Sequence, residues 1–369
     1  MRSHRKRLAV AASSVLLTTL SVGFVDGRSA AAAEKEAVAV EVARFDRAEI
    51  MSSAIRGSQL KNASPSTRSR VKSHLEAAAR QGRLLAESEV QVATLPDPFM
   101  KDKTIDLVWT GQAVPQETLV AQADHGDDGV QLGLGIAMAE EKSGTRDDVA
   151  PSPKSGSGYG GFSDVQNMYT YSNDCLTVWF DPRYVGGQQH QLVSCYEKMA
   201  QSGTRHWIYN RWGMFTVGQN GFPGFRTEVV DFTLRSRPWS GQESKVTRLN
   251  KWVPEGPTTN CSTTSPVQIG GVYGGVTGMI SIPINQCTNI RVFANSPTNK
   301  AIGVDWDGVN RSQVRLDIAG DFDASDTRVV PTWADYSWAE VHTCPNIGVA
   351  CSVHGQYTQE LWSQIDSGW

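Results

Sequence analysis

Residues Val267 to Ile282 read VQIGGVYGGVTGMISI, and this stretch decides the fold class. A two-residue turn at Gly274-Gly275 suits a primed hairpin, whose central residues must tolerate positive φ. Tyr273 then opposes Val276, and Val267 opposes Ile282. One face carries Val267, Ile269, Gly271, Tyr273, Val276, Gly278, Ile280 and Ile282; the other carries Gln268, Gly270, Val272, Thr277, Met279 and Ser281. The first face is apolar and the second mixed, as a hairpin lying on a core requires. The same register opposes Pro266 to Pro283 at a non-hydrogen-bonded pair, where the missing amides face outward. The hairpin is therefore expected to end, or to reach a sheet edge, at those prolines.

The six cysteines extend this reading. Cys261 and Cys287 stand just beyond the prolines, one residue out of opposition, so a bulge or frayed end is needed if they bridge. A second hairpin centred on Val185 pairs Val178 with Leu192, Phe180 with His190, and Cys175 with Cys195 at its base. Of the fifteen connectivities that six cysteines allow, this geometry selects Cys175 to Cys195, Cys261 to Cys287 and, by elimination, Cys344 to Cys351.

Around these hairpins, short runs rich in Val, Ile, Thr and aromatics alternate with Gly, Pro, Asn and Asp, with no helical period. That texture predicts a mainly β fold: a disulfide-bonded antiparallel β sandwich over residues 162–369, preceded by a helical N-terminal region. Ten of the eleven tryptophans and all six cysteines lie in this part. Residues 140–161, rich in Ser, Gly, Pro and charge, read as a flexible linker. In the helical or mixed region 34–139, a possible pro-segment, apolar residues from Val38 to Ile55 recur at gaps of three and four, predicting a helix from Glu34 to about Gly57. A second helix is predicted from Pro65 to Glu87, with Ser64 as N-cap.

The chain begins with Arg2, Arg5, Lys6 and Arg7, an apolar run from Leu8 to Val25, and Ala30 to Ala33. That order predicts a signal peptide over residues 1–33, a secreted extracellular product, and no stable membrane span after cleavage. Export supplies the oxidising compartment that disulfides need. The net charge of −3 becomes −7 without the leader, because residues 1–33 hold five basic and one acidic side chain. An acidic chain has no electrostatic footprint for nucleic acid.

Candidate chemistry is sparse. His342, Cys344, Cys351 and His354 are ligand types for zinc, but an even cysteine count in an exported chain favours disulfides. Asp305 with Asp307, and Asp321 with Asp323, place alternating carboxylates where turns are expected; calcium is a possible ligand there, and ordinary turn chemistry the simpler reading. Ser-x-x-Lys at Ser58 and at Ser69 lacks companion motifs, and the glycine run at Gly156–Gly161 has no preceding strand. Glu197, Glu228, Asp231, Asp305, Asp307 and Glu340 could supply paired carboxylates for glycoside hydrolysis, a permissive criterion.

The aromatics carry the functional expectation. Trp207, Tyr209 and Trp212 form one group and Trp333, Tyr336 and Trp338 another, and flat rings of this kind stack on sugars when they are exposed. The expected role is recognition of an extracellular glycan or the cell envelope, with a glycan-directed hydrolase as the alternative. Membrane insertion of the Val267–Ile282 hairpin is a third reading. Against it, each arm spans about seven residues before proline, short of the 9–11 that cross a bilayer, which favours a hairpin internal to a sheet.

Overall fold

The computed structural model describes residues 40–363 except 80–84, 111–112, 125–129, 141–167, 184–186, 202, 220–222, 255–263, 274–275, 286–289, 296–299 and 347–351. Among the described residues, eighteen strands build the fold. The first eight-stranded sheet, in spatial order, is β1 (Val40–Asp46), β5 (Ala113–Asp124), β6 (Val130–Glu140), β18 (Ser352–Ser363), β17 (Trp333–Pro345), β10 (Phe225–Pro238), β15 (Ala301–Arg311) and β14 (Ile290–Asn295). The second is β11 (Val246–Val253), β16 (Gln313–Ala324), β9 (His206–Thr216), β8 (His190–Gln201), β7 (Met168–Phe180), β4 (Thr104–Thr110), β3 (Val90–Pro96) and β2 (Ile55–Arg56). Pairing is antiparallel except between β18 and β6. A third, two-stranded sheet holds β12 (Thr264–Tyr273) and β13 (Val276–Asn285).

The expected antiparallel β architecture is present, but its N-terminal part differs. Val40–Asp46, expected in a helix, is strand β1, paired to β5 from Val40↔Ala123 to Asp46↔Glu117. The three-and-four spacing of Val38, Val42 and Phe45 gave a helical signal, and pairing with a distant strand overrides it. A helix does begin next, α1 (Arg47–Ser52), where Asp46 accepts from the Glu49 amide and Glu49 caps the Asp46 amide in return. The second predicted helix is α2 (Pro65–Ala79), shorter than the expected span to Glu87, since residues 85–86 are no longer helical. It packs on β3 and β4, burying Val71 beside Val92, Val108 and Trp179.

Strands from both sides of residues 140–161 share both large sheets: β6 joins β18, and β4 joins β7. Residues 38–369 accordingly form one compact unit, so a boundary at 140–161 separates sequence but not fold. The signal-peptide segment lies outside the described residues.

The two sheets enclose a core containing Trp109, Phe180, Tyr209, Phe215, Phe232, Phe322 and Trp333. The sheets pack closely enough that a Cβ on Gly213 would lie 2.5 Å from Leu234 Cδ2. Arg211 of β9 is buried between the sheets, donating to the carbonyls of Arg235 (2.7 Å) and Tyr336 (2.8 Å) and to Ser337 Oγ (2.6 Å). Asp335 accepts from Tyr209 (2.5 Å) and Ser236 (2.6 Å), and its Oδ2 stands 3.6 Å from Arg211 Nε. Satisfied on this many sides, the charges tie one sheet to the other in a fixed register.

The predicted hairpin of β7 and β8 has the expected register, with Val178↔Leu192, Phe180↔His190 and a disulfide joining Cys175 to Cys195. The bridge closes a sequence separation of 20 residues. Replacing both cysteines with alanine is expected to lower stability by about 3 kcal/mol, read as a shift in urea midpoint. Cys344 is also disulfide-bonded, which removes it from any zinc site. Its expected partner Cys351, and the pair Cys261 and Cys287, lie outside the described residues.

Candidate functional site

The hairpin β12–β13 is set apart from the rest of the fold. Its register is the one read from sequence, from Thr264↔Asn285 through Pro266↔Pro283 and Val267↔Ile282 to Tyr273↔Val276. Two expectations about it are corrected. The strands do not stop at the prolines but run two residues further, giving arms of ten residues each. Nor is the hairpin internal to a sheet: it joins neither large sheet. The prolines permit both results, because at a non-hydrogen-bonded pair neither removes a bond from the hairpin's own ladder.

The hairpin lies against β16, with β9 and β11 alongside. The first sheet reaches β9 and β16 through β10 and β15, covering the face that carries Tyr209, Phe215 and Phe322. Yet every residue of β9 from His206 to Phe215 is buried, so the opposite face is covered as well. That face is polar. His206 Nε2 stands 2.6 Å from Asp321 Oδ1, Arg315 pairs with Asp317, and the Arg315 guanidinium lies 4.9 Å from the Trp212 ring. Asn210 is buried in the same row. Groups that water would solvate well contribute little net stability to whatever covers them.

The hairpin's sequence adds a further signal. Residues 256–290 contain no Asp, Glu, Lys, Arg or His, although charged residues make up 20% of the chain.

The predicted aromatic groups are divided by burial. Trp207, Tyr209, Trp212 and Trp333 are 6%, 1%, 3% and 1% exposed, and Tyr209 stacks on Trp333 at 4.9 Å between ring centroids. These four are packing residues in this conformation, offering no stacking surface. Tyr336 and Trp338 alternate with the core residues Trp333 and Ala339 and are half-buried. Their register partners on β10 are Arg235 and Thr233.

The candidate acids separate too. Asp305 and Asp307 lie within β15, and Asp321 and Asp323 within β16, in strands where turns were expected. Asp321 is held by His206. Glu340 faces His342 Nε2 at 2.7 Å, and Glu228 is buried against Cys344 Sγ at 2.9 Å. Asp231, Asp305 and Asp307 gather, with carboxylate oxygens within 4.8 Å of one another, because β10 and β15 pair Asp231 with Asp307 and Thr233 with Asp305. Hard oxygens at this spacing are donors of the type Ca²⁺ takes, though three carboxylates fall short of a full shell.

Burial, with hydrogen bonds to and charge from Asp305 and Asp307, raises the Asp231 pKa to about 9. The folded chain keeps this proton where the unfolded chain has released it, so stability is lost as pH rises from about 4 to about 9. Asp231→Asn is expected to raise the urea midpoint at pH 8 and leave it unchanged below pH 4.

No known family and no curated protein matches this sequence. Among solved structures it is similar to the collagen-binding domain of a Staphylococcus aureus adhesin, at 13% identity over 45% of this chain and 95% of that one, with TM-score 0.20. It is similar to a pore forming protein at 8% identity, covering 53% and 87%, with TM-score 0.30. Clostridium perfringens delta-toxin matches at 6% identity over 75% and 90%, with TM-score 0.22. Similarity at this level says nothing about what this chain does. Among the described residues no helix is long and apolar enough to cross a membrane, which leaves strands unaddressed.

Proposed function

We propose that this chain is a secreted pore-forming protein, and that β12–β13 is the segment that moves off β16 and crosses a bilayer. One observation carries the reading: an uncharged hairpin with arms of ten residues, belonging to neither large sheet, lies beside a buried face of β9 and β16 that includes charged groups. Ten residues match the 9–11 that a tilted transmembrane strand needs. The alternation of an apolar with a mixed face matches a strand between lipid and a wet lumen. As a two-stranded sheet it has two unpaired edges, which in hydrocarbon must be satisfied by neighbours, so several copies close a barrel. Pro266 and Pro283 lie within the arms, two residues from their bases, at a non-hydrogen-bonded pair where neither removes a bond from the hairpin's own ladder.

The test is release of a trapped dye from liposomes of phosphatidylcholine and cholesterol, and of natural-membrane lipid extract, by the mature protein. Release together with a detergent-resistant oligomer supports the reading; absence of both from every lipid overturns it. A second reading, recognition of an extracellular glycan, rests on Tyr336 and Trp338 as the half-buried rings of the predicted set. Loss of glycan-array binding in Trp338→Ala would support it as the targeting step.

A further inference from the structure

We infer that the pore does not select ions by charge. This rests on β12–β13 being the membrane-crossing segment, and it concerns what that segment lets through. The register divides the hairpin into two faces. The face carrying Val267, Ile269, Ile280 and Ile282 belongs against lipid, because apolar residues of a transmembrane strand face outward. The other face, carrying Gln268, Gly270, Val272, Thr277, Met279 and Ser281, then borders the lumen.

Channels select cations or anions chiefly through rings of charged side chains, and symmetry turns one charged residue per copy into such a ring. No residue from 256 to 290 can supply one, since the stretch has neither acid nor base. The nearest charges in sequence, Glu255 and Arg291, are of opposite sign and lie outside the hairpin arms. The passage is therefore wet, through Gln268, Thr277 and Ser281, and neutral. Its permeant class is small solutes of either charge or none, limited by size.

The experiment is planar-bilayer recording in a potassium chloride gradient with the full mature protein. The expected wild-type result is stepwise conductance with a cation-to-anion permeability ratio between about 0.5 and 2. Gln268 and Ser281 are register partners at mid-arm, so Gln268→Glu or Ser281→Glu adds one ring of carboxylates at one level. Either variant is expected to raise the ratio at least about fivefold. Absence of steps overturns the pore reading itself. Steps with a wild-type ratio beyond about tenfold in either direction overturn neutrality while leaving the pore intact. A conducting glutamate variant with an unchanged ratio overturns the assignment of the lumen face. If neither variant inserts, the wild-type ratio alone decides.

Discussion

Replacing Ile280 with arginine lowers dye release on the order of a hundredfold, whereas Ile280→Val leaves it within about twofold of wild type. Ile280 sits at mid-arm on the apolar face, opposite Ile269. An arginine facing lipid at the bilayer midplane costs about 2–4 kcal/mol per strand, and each copy in a barrel bears that cost. A factor of ten corresponds to about 1.4 kcal/mol, so even one copy's share suppresses insertion by an order of magnitude or more. The neighbouring position separates this from a general intolerance of charge. Ser281→Glu, one residue on and on the other face, should still release dye. Near-UV circular dichroism of both variants establishes that the stowed fold survives. If Ile280→Arg releases dye at the wild-type rate, β12–β13 is not what crosses the membrane.

Acidification is expected to loosen the fold well above the range in which ordinary carboxylates titrate, through His190. The ring is fully buried in β8, 5.6 Å from the rings of Phe180 and Phe215. Its Nδ1 accepts a hydrogen bond from the Gly218 amide at 2.9 Å, so the neutral ring carries its hydrogen on Nε2. Gly218 is what allows this approach, since a Cβ there would lie 1.9 Å from the Gln188 carbonyl oxygen. Burial, with a smaller contribution from the charge of Arg183, lowers the His190 pKa to about 3.

Below pH 6.5 the unfolded chain takes up a proton at this site, and the folded chain does not until about pH 3. Stability is thus present above 6.5 and lost as pH falls through that window, by about 4–5 kcal/mol at its full extent. Asp231 acts in the opposite sense between about pH 4 and 9 and, being partly exposed, more weakly. In Asp231→Asn the decline of the urea midpoint from pH 6.5 to 4 should steepen. In His190→Leu it should flatten. A midpoint equally steep in wild type and His190→Leu would remove this histidine from the acid response.

The site was unevenly legible in the sequence. The β12–β13 register could be read because a two-residue turn leaves one way to oppose two alternating strands without turning apolar residues to water, and the β7–β8 register, across the longer connection 181–189, by centring the hairpin on Val185. The cysteine pair at 175 and 195 followed from the same opposition. The grouping of Asp231 with Asp305 and Asp307 had no local signal, since more than seventy residues separate the two ends and only the β10–β15 register joins them. The tryptophans were ambiguous for a related reason. Alternation says that Trp333 and Trp338 face opposite ways but not which way is buried, and the second sheet decides it.

Taken alone, the sequence determined which residues share a face, where two hairpins turn, and that the stretch from 256 to 290 carries no charge. Those are properties of near neighbours, set by side-chain alternation and turn geometry. Tertiary structure decided what covers each face. It made Val40–Asp46 a strand of the first sheet, extended the arms of β12–β13 past their prolines, and left that hairpin outside both large sheets. Coverage depends on contacts between segments far apart in the chain, which form only where the packing gained exceeds the entropy of closing the loops between them.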